Sequence, residues 1–169
     1  MTIHDQLVRL RPQLVGFARA ICGNPEAADD LVQDAIERAL KAGSRPLEPS
    51  DLVPWMFRII RNLHVDELRR TRVRAEYADH QKRLSVEGYD RESDPLQDLL
   101  VRQAFEALSP PHREVIFLVD IMGMRYLEAG KVLGVAEGTI MSRLSRARQA
   151  MIGQLNQSNV SPLPRRKRK

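Results

Sequence analysis

Apolar residues recur at helical spacing through most of the chain. Leu7, Leu10, Leu14, Phe17 and Ile21 lie three and four residues apart, which predicts the buried face of a first helix closed by Gly23. Asn24 before Pro25 predicts a cap and first turn for a second helix, with Glu26 and Asp29 near its positive end. That helix is expected to run to about Ala42, with Gly43 as its stop. After the polar loop GSRPLEPSD, Ser50 or Asp51 is expected to cap a third helix carrying Val53, Met56, Phe57, Ile60 and Leu63 or His64 on its apolar side. Three such helices predict a small helical bundle.

The pattern then lapses. The stretch EYADHQKRLSVEGYDRESDPLQD is poor in large apolar residues and contains Gly88 and Pro95, the composition of a linker. Helical spacing resumes near Leu96, with Leu99, Leu100, Ala104 and Leu108 on one short helix. Ser109 before Pro110 is expected to cap the next, which carries Val115, Ile116, Leu118 and Val119 and stops at Gly123. Tyr126 to Leu133 forms a third short helix, Gly134-Val135 a turn, and a fourth helix runs from about Glu137 to Gln154. The predicted fold class is all-α: two small helical domains joined by an acidic linker. The expected boundaries are 1–74, a linker at 75–96, 97–157, and a basic, disordered tail at 158–169.

Charge refines this division. The chain of 169 residues has 27 Lys plus Arg against 22 Asp plus Glu, yet its last five residues, 165–169, are all basic. The remaining body is neutral but patterned: residues 58–74 carry +4, 75–98 carry −4 and 125–150 carry +3. Two basic islands therefore flank an acidic stretch, one in each predicted domain. Eight aromatic residues are too few for a single-strand binder built on stacking platforms. The lone Cys22 excludes an intramolecular disulfide, and the four histidines lack metal-ligand spacing. No Gly-rich phosphate loop or nucleophile–base spacing stands out, so the expectation is a protein with no enzymatic activity, catalytic residue, metal or cofactor. Cys22 and His64 are expected to pack. The N-terminus has no apolar leader segment and no apolar run approaches the ~18 residues of a membrane span, which makes a reducing cytoplasm the expected location.

The segment RYLEAGKVLGVAEGTIMSRLSRARQAM has helix-turn-helix syntax. Ile140, Leu144, Ala147 and Met151 form its apolar stripe, and the opposite side presents Thr139, Ser142, Ser145, Arg146 and Gln149. Small hydroxyls let a helix sink into the major groove, and an arginine there can reach guanine O6 and N7 together. Arg143 and Arg148 lie off that stripe, where phosphate contact is more natural. On the third helix Arg58, Asn62, Val65, Arg69 and Arg72 share a stripe opposite the apolar one, flanked by Arg61 and Arg70. Such a face can track a phosphate backbone or simply be solvated. Asp66 interrupts it, and Arg69 and Arg70 are its expected partners. The second helix carries Asp30, Gln33, Asp34 and Glu37 on one side, suited equally to a basic partner and to helix-dipole complement.

AADDLVQDAIERAL followed by PWMFRIIRNLHVDELRR resembles region 2 of an extracytoplasmic-function (group 4, sigma-70 family) sigma factor of bacterial RNA polymerase. LSPPHREVIFLVDIMGMRYLEAGKVLGVAEGTIMSRLSRARQAM is similar to region 4 of that family, and the resemblance covers about residues 5 to 155. It implies a transcription initiation factor that binds core polymerase, selects promoters by −10 and −35 elements and promotes melting. It implies that Asp30, Leu31, Gln33 and Asp34 dock on the β′ clamp helices, with the β flap as a further polymerase contact. It implies that Trp55, Arg58, Asn62, Asp66, Arg69 and Arg70 handle the −10 element, and that the loop from Gly43 to Val53 captures an unstacked base. Thr139, Ser142, Arg143, Ser145, Arg146 and Arg148 are the implied −35 contacts. An anti-sigma factor is an implied partner and would supply any membrane connection.

Three positions depart from the family pattern. Arg125 replaces the Ser or Thr expected before the first helix of the helix-turn-helix, with the loss of a cap worth ~1 kcal/mol. Gly130 stands where Ala is commoner, implying a small loss of helix propensity. Met141 occupies a position often basic, which leaves the detailed −35 sequence open. The competing class is a helix-turn-helix repressor or activator with a helical sensor domain, which would bind an operator alone and tightly.

Overall fold

The computed structural model describes residues 2–46, 48–75 and 95–158. Seven α-helices in order are α1 (Ile3–Cys22), α2 (Pro25–Lys41), α3 (Pro49–Ala75), α4 (Pro95–Glu106), α5 (Pro110–Ile116), α6 (Tyr126–Leu133) and α7 (Glu137–Ser158), with a π-helical turn at Phe117–Ile121 extending α5. No strand occurs among the described residues. The fold is therefore the expected all-α one, with α1–α3 forming the first bundle and α4–α7 the second. The acidic linker beyond Ala75 and the basic tail beyond Ser158 lie outside the described residues.

Local signals explain the helix ends. Thr2 caps α1 through a reciprocal capping box: Asp5 N donates to its hydroxyl at 3.2 Å, and Thr2 N donates to the Asp5 carboxylate at 2.9 Å. Asn24 caps α2 by accepting from Glu26 N and Ala27 N, as its position before Pro25 predicts. The third helix begins at Pro49, ahead of the expected Ser50 or Asp51 cap, because proline's fixed φ suits a first helical position. Ser109 occupies the N-cap of α5 but its hydroxyl makes no capping bond; its backbone carbonyl instead accepts from His112 N and Arg113 N. At α6, Glu128 accepts from Arg125 N at 2.9 Å and its other oxygen pairs with the Arg125 guanidinium at 3.6 Å. Half of a capping box thus survives where the arginine side chain has no acceptor to offer.

The turn of the helix-turn-helix depends on two glycines. Gly134 ends α6 with φ +64°, the left-handed region that favours glycine. Gly130, buried inside α6, faces the turn so closely that an added Cβ would lie 2.8 Å from the Val135 carbonyl oxygen. The expected propensity loss is thus the lesser effect at this site. Gly130→Ala should destabilise the protein, since overpacking against backbone costs about 1–3 kcal/mol and the helix gain is about 1 kcal/mol. Urea denaturation checks this, and a raised midpoint would refute it.

The stripes read from the sequence enter one continuous core. Leu7, Leu14, Phe17 and Ile21 of α1, Met56, Phe57 and Ile60 of α3, and Ile140, Leu144 and Ala147 of α7 are all buried. The two bundles pack on each other, α1 against α5 and α3 against α6. At their junction Phe17 and Phe57 have ring centroids 4.6 Å apart, and Phe117 of the π-helical turn lies 5.7 Å and 6.2 Å from them.

Candidate nucleic-acid interface

Three surfaces carry the candidate chemistry. On α7, burial of Ile140, Leu144 and Ala147 turns Ser142, Ser145 and Arg146 outward, all exposed. The Ser142 hydroxyl donates to the Thr139 carbonyl at 3.1 Å, and Arg146 Nε donates to the Ser142 carbonyl at 3.3 Å. These bonds lay the guanidinium along the exposed face of the helix. Thr139 itself is half-buried.

Of the other two arginines, Arg148 is engaged within the protein. Arg148 grips Asp120 of the π-helical turn with two nitrogens, its Nε at 3.0 Å, so the residue expected on phosphate serves first as a brace between α7 and that turn. Arg143 is half-buried, and its positive charge favours the ionised form of the Glu114 carboxyl.

On α3, Arg58, Asn62, Arg69 and Arg70 are exposed, whereas Asp66 is half-exposed and Trp55 packs partly against the core. The basic face is therefore assembled, with Trp55 at its inner edge. Asp66 pairs with Arg69 at 3.9 Å as expected, but Arg70 pairs with Glu67 at 3.9 Å and not with Asp66. Both Asp66 and Glu67 lie three residues before their partner, and the helix satisfies each arginine with its own carboxylate.

On α2, Asp29 pairs with Arg11 at 3.6 Å and Glu37 with Lys41 at 3.5 Å. Asp30 and Asp34 make no ion pair among the described residues, and with Gln33 they are exposed. Leu31 is half-buried and leans on the core. This leaves two carboxylates and an amide free on one side of a rigid helix. The adjoining loop, Gly43 to Pro46, bounds a shallow open recess lined by Ala42 and by its own residues.

Sequence reasoning did not single out Glu114 or Arg113. Arg113 Nε donates to the Ala20 carbonyl at 2.7 Å, and its Nη1 to the Leu108 and Glu106 carbonyls at 2.6 and 3.2 Å. One side chain thus serves the last carbonyls of α1 and α4, where helix dipoles favour positive charge. Glu114 is only 8% exposed, with Arg61 Nε at 3.7 Å. Burial holds its carboxyl above the ordinary value against the pull of Arg61, Arg143 and Arg113. Its spacing of three and four residues before Phe117 and Leu118 is the signal that places it on the buried stripe.

Cys22 Sγ and His64 Nδ1 lie 3.5 Å apart beneath Arg113, packed as expected. Burial pushes the thiol up to about 11, and burial with Arg61 and Arg113 holds the imidazole below its ordinary value. Among the described residues no group of His, Cys, Asp or Glu could hold a metal ion, and no helix is long and apolar enough to cross a membrane.

A helical bundle with an acidic face and a basic helix, followed by a helix-turn-helix module, defines a DNA-binding transcription protein. Residues 7–74 match the Sigma-70 region 2 family and residues 98–151 the Sigma-70 region 4 family. The chain belongs to the extracytoplasmic-function sigma factors, the transcription initiation factors of bacterial RNA polymerase, and its family is not one of catalysts. It is 34% identical over 151 residues to the ECF RNA polymerase sigma factor EcfG of Rhodopseudomonas palustris, covering 89% of this chain and 83% of that protein. The solved sigma factor RpoE of Bartonella quintana, in complex with the anti-sigma factor NepR, is similar at 30% identity and TM-score 0.74, covering 90% of this chain and 96% of that one. CnrH, solved in complex with the cytosolic domain of CnrY, is similar at 28% identity and TM-score 0.57, covering 91% and 87% of the two chains.

Proposed function

We propose that this chain binds core RNA polymerase in the cytoplasm, selects promoters through −10 and −35 elements, and promotes melting within the holoenzyme. Asp30, Leu31, Gln33 and Asp34 dock on the β′ clamp helices, and the helix-turn-helix domain meets the β flap. Trp55, Arg58, Asn62, Asp66, Arg69 and Arg70 handle the −10 element. Capturing an unstacked base in the loop from Gly43 to Val53 offsets the few kcal/mol that unstacking costs. Thr139, Ser142, Ser145 and Arg146 read the −35 element, with Arg143 and Arg148 contacting phosphate, the latter once released from Asp120. An anti-sigma factor is a further partner, as the solved sigma factor RpoE of Bartonella quintana carries one. The domain limits proposed are 1–74 and 97–157, on either side of the 75–96 linker.

The observation that carries this reading is the presence, on one chain, of two exposed DNA-type faces on α3 and α7 beside an unpaired acidic face on α2. Run-off transcription with core polymerase tests it. Promoter-specific transcripts should require both proteins, whereas nanomolar operator binding by the chain alone would establish the repressor class instead.

Asp34→Lys tests the docking face. The side chain is exposed and forms no ion pair among the described residues, so the fold should be kept while core-polymerase affinity falls about tenfold or more, the scale of reversing one interfacial charge. Retention of wild-type affinity in a pull-down titration would remove Asp34 from the interface.

A further inference from the structure

Between Thr139 and Arg148, α7 exposes one large apolar side chain, that of Met141, which is 53% open to solvent. It stands fifth in the helix, and the first turns of a recognition helix are the ones that reach base edges. Ile140 before it and Leu144 after it are buried, which turns Met141 out onto the side it shares with Ser145, one turn further on. Its neighbours there are small. Gly138, one turn earlier, has nothing within 4 Å of where a Cβ would stand, and Ser142 and Ser145 are exposed with short side chains. The thioether therefore projects beyond them towards whatever this face meets.

Charge argues against a phosphate at this place. Glu137 lies one turn before Met141 and is exposed, and its carboxylate would repel the backbone. Arg148, two turns after Met141, already holds Asp120 with two nitrogens. An apolar side chain in the major groove finds one matching group on the base edges, the 5-methyl of thymine. Methionine suits such a contact, because its unbranched chain adapts to a surface met only on binding.

We propose that Met141 is a specificity-determining residue for the −35 element, reading a thymine by packing its thioether side chain on the 5-methyl group. The inference rests on the promoter-binding reading above and adds a base to it: a T·A pair within about three base pairs of the base read by Arg146. Five residues separate Met141 from Arg146, a rise of about 7.5 Å along the helix, or a little over two base-pair steps of about 3.4 Å. The fold has no need of the exposed side chain, so Met141→Gln should keep the wild-type helicity and urea midpoint.

Holoenzyme assembled from the full chain and core polymerase tests the assignment on a promoter recovered by run-off transcription. Each thymidine of the −35 element, on either strand, is replaced in turn by deoxyuridine, which removes the 5-methyl and leaves every hydrogen-bonding group in place. At one position wild type should lose about three- to fivefold in promoter affinity, the scale of burying one methyl group. Met141→Gln keeps the length of the side chain but ends it in an amide, and should bind the two promoters equally. Met141→Leu, still apolar, should retain most of the discrimination. Core-polymerase affinity should be the same for all three proteins.

The assignment is overturned if no position responds to loss of the methyl, or if Met141→Gln responds as wild type does. A responsive thymine more than about three base pairs from the position where Arg146→Ala loses discrimination overturns it too. So does a Met141→Gln defect confined to core-polymerase affinity, which would set the side chain against polymerase instead of DNA. Promoter-specific transcription without a methyl response removes Met141 alone, whereas the absence of any promoter-specific transcript removes the promoter-binding reading and this assignment with it.

Discussion

Phe57→Ala should remove about 3–5 kcal/mol of stability, the cost of truncating a fully buried aromatic ring. Phe57 is completely buried and touches Phe17 in a tilted pair and Phe117 in an edge-on one. Because these rings come from α1, α3 and the π-helical turn, the cavity opens at the junction of both bundles. The urea midpoint should fall well below that of an exposed control, Leu68→Ala, whose side chain is 54% exposed and should change stability by less than about 0.5 kcal/mol. A Phe57→Ala loss comparable to the control would mean that the ring does not hold the junction together.

The second large effect is on function. Arg146→Ala should lower −35-dependent transcription about 5- to 150-fold, the range that 1–3 kcal/mol of bidentate base contact represents. Core-polymerase affinity should stay unchanged. Arg146 is exposed on α7 and, among the described residues, bonds to the Ser142 carbonyl alone, so little packing is lost with it. Promoters mutated in the −35 element should lose their sensitivity to the substitution. Equal loss of transcription and polymerase binding would contradict a role in base reading.

The core was legible because its signal is local. Leu7, Leu14, Phe17 and Ile21 on α1, and Ile140, Leu144 and Ala147 on α7, were marked by spacing alone and are all buried. Asn24 with Pro25 marked the start of α2 for the same reason, since cap and first turn are neighbours in sequence. What was not legible involves partners distant along the chain. Nothing near Arg148 announces Asp120, 28 residues earlier, and nothing near Arg113 announces the Ala20 carbonyl, 93 residues away. Arg148 thus looked free for phosphate, and the packing of one bundle on the other was not readable. Gly130 was read only in part for a related reason: helix propensity is a property of one residue, whereas its close approach to Val135 is a property of the turn.

The candidate site divides along the same line. The outward faces of α2, α3 and α7 follow from helical geometry once the buried stripes are known. Whether a charged group on them is available does not. Asp30 and Asp34 are, whereas Asp29 and Glu37 are paired with Arg11 and Lys41, a difference set by the packing of the helices and the rotamers they adopt.

The far end of α3 carries a different consequence. From Glu67 to Arg72 every residue is exposed, so tertiary packing contributes little to keeping these turns helical. Local side-chain contacts support them: the Asp66–Arg69 and Glu67–Arg70 pairs, each worth only a few tenths of a kcal/mol, and the Thr71 hydroxyl donating to Glu67 at 3.4 Å. A solvent-washed helix end of this kind unravels and rewinds on the sub-microsecond timescale of helix–coil exchange. Any partner that grips Arg69 and Arg70 must therefore meet the entropy of winding those turns, and its residence will be set as much by that rewinding as by the contacts made afterwards.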